Sequence, residues 1–260
     1  MRHAIIGSGV IGKATGLWLL ANKQEVTFFD IKDEVLDKLK EQGYNTSKEV
    51  TAVGIRKNDP KIIWICTAEW DVDSVIQNIY EYSADKIFVI RSTMPPGEIE
   101  TIAKKYGLLH IAHMPEFLRQ NSATSDIFNK DRVIIGTNEY QTKLILKELL
   151  ETENVPVIFT NLETAAVIKY AANCWLATQI SFWNEIKKIC DSMQLNPQEV
   201  ANAVTLDKRI STYGSAMIGK PFSGFCFPKD MKTFIQAFEK RELDPKLLKA
   251  VVEVNDSVRK

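Results

Sequence analysis

This 260-residue sequence has no long apolar run, no paired cysteines and no net charge, and each absence removes a class of protein. No segment reaches the roughly 18 consecutive apolar residues that a membrane-spanning helix needs. The opening MRHAIIGSGV is too short an apolar run for a signal peptide. The expectation is therefore a cytoplasmic protein. Thirty-three basic residues balance thirty-three acidic ones, so no global field attracts nucleic acid or an anionic membrane, and any phosphate site has to be built locally. The four cysteines lack both the CxxC pairs of a zinc site and the density of a disulfide framework, so no metal is expected and free thiols are the default. Cys66, Cys174 and Cys190 lie in apolar segments and read as small buried hydrophobes. Cys226 lies in a loop and reads differently.

With 12 Gly, 9 Pro and 45% hydrophobic residues, the chain has material for one large or two modest cores. Two domains are expected, 1–160 and 161–260. Up to about residue 160, the β-rich runs HAIIG, EVTFFD, KIIWIC, KIFVIRS, LHIAHM and RVIIG alternate with helical patterns that include Ile11 to Ala21 and Lys32 to Glu41. That alternation predicts an α/β domain with a doubly wound, Rossmann-type parallel sheet. After VPVIFTN, helical apolar spacing runs without Gly or Pro from Leu162 to Met193 and predicts one long connecting helix, with Asn161 and Thr164 at its cap. From Asn196 a short helix, a Gly-, Ser- and Pro-containing loop from Ser211 to Pro228 and two further helical stretches complete an all-helical second domain.

In IIGSGVIGKATG, Gly7, Gly9 and Gly12 directly follow a strand and open a helix, the context in which GxGxxG indicates a dinucleotide site. Gly7 permits the tight turn, Gly9 lets backbone approach a pyrophosphate, Gly12 permits close helix packing, and the helix N-terminus faces the phosphate charge. The second strand ends at Asp30, whose carboxylate would accept from ribose hydroxyls and repel a 2′-phosphate, so NAD is favoured over NADP. Lys32 nearby weakens that preference slightly.

Four further stretches, RSTMPPGE, MPEFLRQNSATSDIFNKDRVIIG, TAAVIKYAANCWLATQISFWNE and SGFCFPKD, resemble the UDP-glucose/GDP-mannose dehydrogenase family in order and spacing. With the glycine loop, the resemblance covers essentially the whole chain. It implies NAD-dependent oxidation of a nucleotide sugar, with Cys226 as nucleophile. The chemistry is coherent: a thiolate adding to an intermediate aldehyde gives a hemithioacetal that can lose a second hydride, and the thioester then meets water. Lys229 and Asp230 follow Cys226 closely, and nearby positive charge stabilises a thiolate; spacing alone leaves a structural cysteine equally open.

Lys169 and Asn173 share one helical face, which spacing alone reads as a solvated face, although the paired presentation also suits oxyanion stabilisation. The resemblance assigns them the developing alkoxide and the sugar, Asp230 water and proton transfer, Glu116 thioester hydrolysis, and Thr93 the positioning of water near the nicotinamide. It further implies cofactor contacts from Val10, Ile11, Thr67, Ser92 and Gln120, and substrate contacts from Phe117, Leu118, Gly224, Tyr213 and Arg209, the last reaching across a dimer. The bulky Trp175, Ile180, Phe182 and Trp183 are expected in a homodimer interface, with burial in one large core as the alternative.

Several positions depart from the family pattern. Gln120 replaces a second acid near the nicotinamide, Ser223 stands where glycine is common, and Val35 replaces a basic residue. DPKLLKAVVEVNDSVRK resembles the end of the family's central domain, so a third, nucleotide-binding domain is expected to be missing, which would weaken substrate binding. A compact enzyme, a separate chain supplying that domain, and an NAD-binding relic remain open. UDP-glucose is favoured because NKDRVIIG looks closer to UDP-glucose enzymes; GDP-mannose and N-acetylhexosamine substrates, a two-electron β-hydroxyacid dehydrogenase and a non-catalytic NAD-binding or dimerisation module are the alternatives.

Overall fold

The β-branched and aromatic runs become strands, and the helical patterns between them become crossovers. The structure is a computed structural model that describes residues 1–82, 85–119 and 121–259. Its first part runs β1 (Arg2–Ile6), α1 (Val10–Ala21), β2 (Glu25–Phe29), α2 (Asp33–Glu41), β3 (Asn45–Ser47), α3 (Ala52–Asn58), β4 (Ile62–Ile65), α4 (Val72–Ile79), β5 (Ile87–Ile90), α5 (Glu98–Tyr106), β6 (Ile111–His113), α6 (Ala123–Phe128), β7 (Val133–Gly136), α7 (Tyr140–Leu149) and β8 (Val157–Thr160). The eight strands form one sheet ordered β3-β2-β1-β4-β5-β6-β7-β8. The strand order reverses between β1 and β4, and the crevice beyond their carboxyl ends is where such a sheet binds ligands.

Successive side chains on a strand point to opposite faces, so each inner strand feeds two cores. Ile5 and its cross-strand partner Trp64 pack with Trp18 and Phe28 on one face, while Ala4, Ile6, Ile63 and Ile65 pack with Ile76 and Phe88 on the other. Because both faces are covered by helices, IIWI and IFVI are buried along their whole length.

The sheet is not wholly parallel as expected: β6 pairs antiparallel with β7, and β7 then pairs parallel with β8. The reason lies in the connection. α6 has only six residues, too few to carry the chain back across the sheet, so β7 starts at the edge where β6 ends. The short strands β3 and β8 at the two sheet edges are additions to the six read from the sequence.

The long helix, α8 (Leu162–Ser192), extends over 31 residues, almost as the spacing predicts. Asn161 caps it, its Oδ1 accepting from the Thr164 amide at 2.7 Å. The two compact units are Met1–Lys169 and Tyr170–Lys260, so they divide inside α8 rather than at 160/161. The first turns of α8 are tied to the sheet: Leu162 joins one core, and a Cβ on Gly136 would sit 2.7 Å from that of Ala165.

In the second unit, the rest of α8 is joined by α9 (Pro197–Val204), α10 (Cys226–Glu239) and α11 (Lys246–Val258). Their core contains Cys174, Ala177, Ile180, Phe222, Met231 and Val251. The expected loop from Ser211 to Pro228 ends earlier than predicted, because Cys226 already lies in the first turn of α10. Pro228 fits there because the first turn makes no use of its missing N–H. The apolar residues of α8 divide: Ile180 and Trp183 are buried, whereas Trp175 is 62% and Phe182 53% exposed. Among the described residues, no helix is long and apolar enough to cross a membrane.

Candidate active site

The glycine loop lies at the carboxyl end of β1. Gly7 adopts φ +83°, and a Cβ on Gly12 would stand 2.0 Å from the Gly7 carbonyl oxygen, so both positions demand glycine. A Cβ on Gly9 would meet nothing within 4 Å; the open space beside it is what a pyrophosphate approaching the backbone requires. α1 starts there with no side-chain cap and no acidic residue in its first turn, leaving its amides and positive dipole end to an anion. Val10 is exposed at this mouth, and Ile11 is partly buried behind it.

Asp30 is held by two backbone amides, Ser8 N to Oδ2 at 2.8 Å and Lys32 N to Oδ1 at 3.0 Å. The carboxylate is thus fixed in orientation and retains lone pairs for hydroxyl donors. Thr67 and Ser92, on the loops after β4 and β5, are directly linked, Ser92 Oγ donating to the Thr67 carbonyl at 2.7 Å. Thr67 Oγ1 is buried without a hydrogen-bond partner among the described residues. Open space at Gly9, uncapped amides and an oriented carboxylate together fit a dinucleotide.

Two buried groups, His113 and Arg91, support this edge. His113 Nε2 lies 3.2 Å from the Ser92 carbonyl oxygen, and burial pushes its pKa down to about 4, so the ring is neutral and donates to that carbonyl. Arg91 is buried one residue before Ser92, and its Nη1 donates to the Met114 carbonyl at 3.1 Å. Their positions within apolar strands gave no distinguishing signal. Thr93 follows, partly buried.

Beyond β6 the chain presents Glu116 and Phe117. Glu116 is fixed at both oxygens: Lys169 Nζ lies 3.2 Å from Oε1, and the Leu118 amide donates to Oε2 at 2.7 Å. The Lys169 side chain is only 4% exposed, so this carboxylate is the counter-charge of a buried ammonium. Lys169 Nζ also stands 5.2 Å from the centre of the Phe117 ring, with the Arg132 guanidinium 4.5 Å from that centre. The antiparallel entry of β7 brings Arg132 to this edge. Gln120, the expected contact near the nicotinamide, lies outside the described residues.

In the second unit, Cys226 is exposed in the first turn of α10, where a helix N-terminus favours a thiolate. Asp230 is buried on the following turn; Asn173 Nδ2 donates to its Oδ2 at 2.6 Å, and Lys229 Nζ lies 2.7 Å from its Oδ1. The other thiols are set apart from chemistry: Cys174 and Cys190 are buried, and burial pushes Cys66 and Cys174 up to about 12. Arg209 is exposed and engaged with Asp207 at 2.6 Å, and Tyr213 is 40% exposed. Gly224 adopts φ +78° with open space around it.

The UDP-glucose/GDP-mannose dehydrogenase family model matches in two parts, its NAD binding domain at residues 68–154 and its central domain at 163–257. The UDP-glucose 6-dehydrogenase of Rickettsia typhi is 30% identical over 98% of this chain and 67% of its own length. The chain belongs to the UDP-glucose/GDP-mannose dehydrogenase family. UDP-glucose 6-dehydrogenase TuaD of Bacillus subtilis is 32% identical over 98% of this chain and 63% of its own. This family member therefore spans about two thirds of the length of those relatives. Its fold is that of the UDP-glucose dehydrogenase of Pyrobaculum islandicum, with a TM-score of 0.87 at 23% identity over 98% of this chain and 68% of the other. NAD is the cofactor of the domain that it shares with the family.

Proposed function

We propose that the protein oxidises the primary alcohol of a nucleotide sugar, UDP-glucose being favoured, to a carboxylate through a thioester on Cys226. The observation that carries this reading is Cys226 itself, an exposed thiol in the first turn of α10 with Lys229 and the buried Asp230 close behind. NAD, when bound, supplies the electron acceptor for both oxidations.

The chain's residues divide the remaining work. Gly9, the α1 amides and Asp30 hold and orient the dinucleotide. Lys169 and Asn173 donate to the oxygen of the reacting carbon, first as alkoxide and later as hemithioacetal oxyanion. The Cys226 thiolate forms a C–S bond to the aldehyde carbon, which excludes release of the aldehyde. Glu116, exchanging Lys169 for a water placed by Thr93, takes a proton from that water as its oxygen attacks the thioester. The C–S bond then breaks, the carboxylate leaves, and Asp230 assists proton transfer as the thiolate returns. Arg209 and Tyr213 contact the sugar nucleotide in this scheme, with Phe117, Leu118 and Gly224.

Two copies are proposed to pair through α8. Trp175, Phe182 and Ile189 recur every seven residues and are 62%, 53% and 55% exposed, a stripe that water disfavours. The cytoplasm is the proposed compartment.

The test is NADH absorbance with purified protein, NAD and a panel of nucleotide sugars, repeated with Cys226→Ser. Two NADH per sugar, abolished or stalled in the variant, is the expected result. One NADH per substrate, unaffected by the variant, would point to a two-electron hydroxyacid oxidation. No NADH despite measurable NAD binding would leave a binding or assembly module and overturn the enzymatic reading.

A further inference from the structure

Arg91 is a buried cation without an acid of its own. It stands at the carboxyl end of β5, where its amide donates to the Ile65 carbonyl at 2.8 Å, and it is 3% exposed. The alternation of β5, continued by one residue, puts its side chain on the face of Ile87 and Val89, the face that α1 covers through Ala14, Trp18 and Leu19. There Nη1 donates to the Met114 carbonyl, whereas Nε is buried with no hydrogen-bond partner. Among the described residues no carboxylate pairs with this guanidinium. Burial pushes its pKa down, yet a guanidinium keeps its proton across the working range of an enzyme.

The groups around Arg91 do not cancel its charge. Glu116 attracts it, but Glu116 is already the counter-charge of the buried Lys169, 3.2 Å away. Burial holds Cys66 up to about 12 and His113 down to about 4, so both are neutral. Arg91 and Lys169 thus share one carboxylate, and this edge of the sheet carries an excess positive charge in a low-dielectric setting, where a charge acts most strongly. β2 and β4 flank β1 on opposite sides. With the pyrophosphate at α1 and the adenosine ribose at Asp30, after β2, the nicotinamide half runs the other way, over the ends of β4 and β5, where Ser92 is bonded to Thr67. An uncompensated buried charge costs stability, and at this place a bound group can make use of it.

We infer that the uncompensated charge of Arg91 biases the cofactor site toward the reduced dinucleotide. When a hydride passes from substrate carbon to nicotinamide, the carbon is oxidised and the positively charged pyridinium becomes a neutral dihydropyridine. A fixed positive charge near that ring disfavours the oxidised form alone, so it favours hydride acceptance without contact to the substrate. The inference rests on NAD as the cofactor, and on neither the proposed sugar nor the role of Cys226.

The test is a ratio of affinities. Dissociation constants of NAD, NADH and ADP-ribose are measured on the full chain at one pH and ionic strength, NADH by its fluorescence and the other two by displacing it. ADP-ribose lacks the nicotinamide and reports the adenosine half alone. Arg91→Gln keeps a donor without the charge, whereas Arg91→Lys keeps the charge. Arg91→Gln is expected to reduce the preference for NADH over NAD by roughly three- to tenfold with ADP-ribose affinity unchanged, and Arg91→Lys to retain that preference. Glu116→Gln removes the one carboxylate and is expected to raise the preference for NADH. An equal change in both dinucleotides, which a purely structural role produces, would overturn the inference, as would Glu116→Gln moving the ratio in the same direction as Arg91→Gln. Should Arg91→Gln fail to fold, Arg91→Met, which fills the space without a charge, and Glu116→Gln give the same readout. Because binding needs no turnover, a chain that oxidises no sugar still decides the question, and the two readings fail separately.

Discussion

Asn173 and Asp230 meet at 2.6 Å, amide nitrogen to carboxylate oxygen, with both side chains buried. A carboxylate at either end of that bond is tolerable; two are not. Asn173→Asp places like charges in contact, which pushes one carboxyl pKa well above its unfolded value. A raised carboxyl pKa stabilises below the unfolded pKa and loses that contribution as pH rises through the folded one. The variant's deficit in melting temperature is therefore expected to widen from about pH 5 to about pH 8. Equal deficits across that range would show that the pair is screened.

Lys169 and Glu116 form an ion pair whose side chains are 4% and 11% exposed. Glu116→Ala leaves a buried ammonium without its counter-charge and is expected to cost about 3–5 kcal/mol in denaturant unfolding. Adding Lys169→Met removes that charge, and the cycle is expected to show a coupling of about 1–3 kcal/mol. Additive effects would mean that water reaches Lys169 freely.

His3 and His113 both have pKa values lowered by burial from 6.5 to about 4. Each takes up a proton in the unfolded chain before it does so in the folded one. Stability is thus complete above pH 6.5 and is lost as pH falls toward 4, by up to about 3 kcal/mol per histidine. His3 accepts from Trp64 Nε1 at Nδ1 over 3.0 Å, a bond that a glutamine carbonyl can keep. Unfolding free energies of His3→Gln across this range should show roughly half of the wild-type slope.

Asp30 spends two acceptor sites on the Ser8 and Lys32 amides and keeps the others for a ligand. Asp30→Ala is expected to weaken NAD binding about ten- to a hundredfold, or about 1.4–2.8 kcal/mol, and to narrow the preference over NADP. Titration of both dinucleotides measures this; an unchanged ratio would remove Asp30 from the ribose site.

Phe182 is 53% exposed on the same stripe as Trp175. Phe182→Glu is expected to convert a sedimenting dimer to monomer with little change in melting temperature of the separated chain. A wild-type protein that sediments as a monomer would dispose of the α8 interface.

The sequence by itself determined what repeats or what backbone geometry forces. Period-two apolar runs marked six strands, the uninterrupted period near 3.6 marked α8 to within a residue at its C-terminal end, and the glycine loop was legible because Gly7 and Gly12 answer steric demands inside one turn. The family motifs gave the remaining site residues their expected roles. Only the tertiary structure decided what depends on distant partners. The antiparallel entry of β7, which sets Arg132 on Phe117, follows from how far a six-residue helix can carry the chain. Lys169 and Asn173, alike by helical spacing, separate because one meets Glu116, 53 residues earlier, and the other meets Asp230, 57 residues later. His113 and Arg91 owe their significance to buried carbonyls, which nothing in their local sequence reveals. Hydrophobic periodicity is a local property of the chain, whereas satisfying a buried polar group is a property of the packed core, and that difference divides what could be read from what had to be seen.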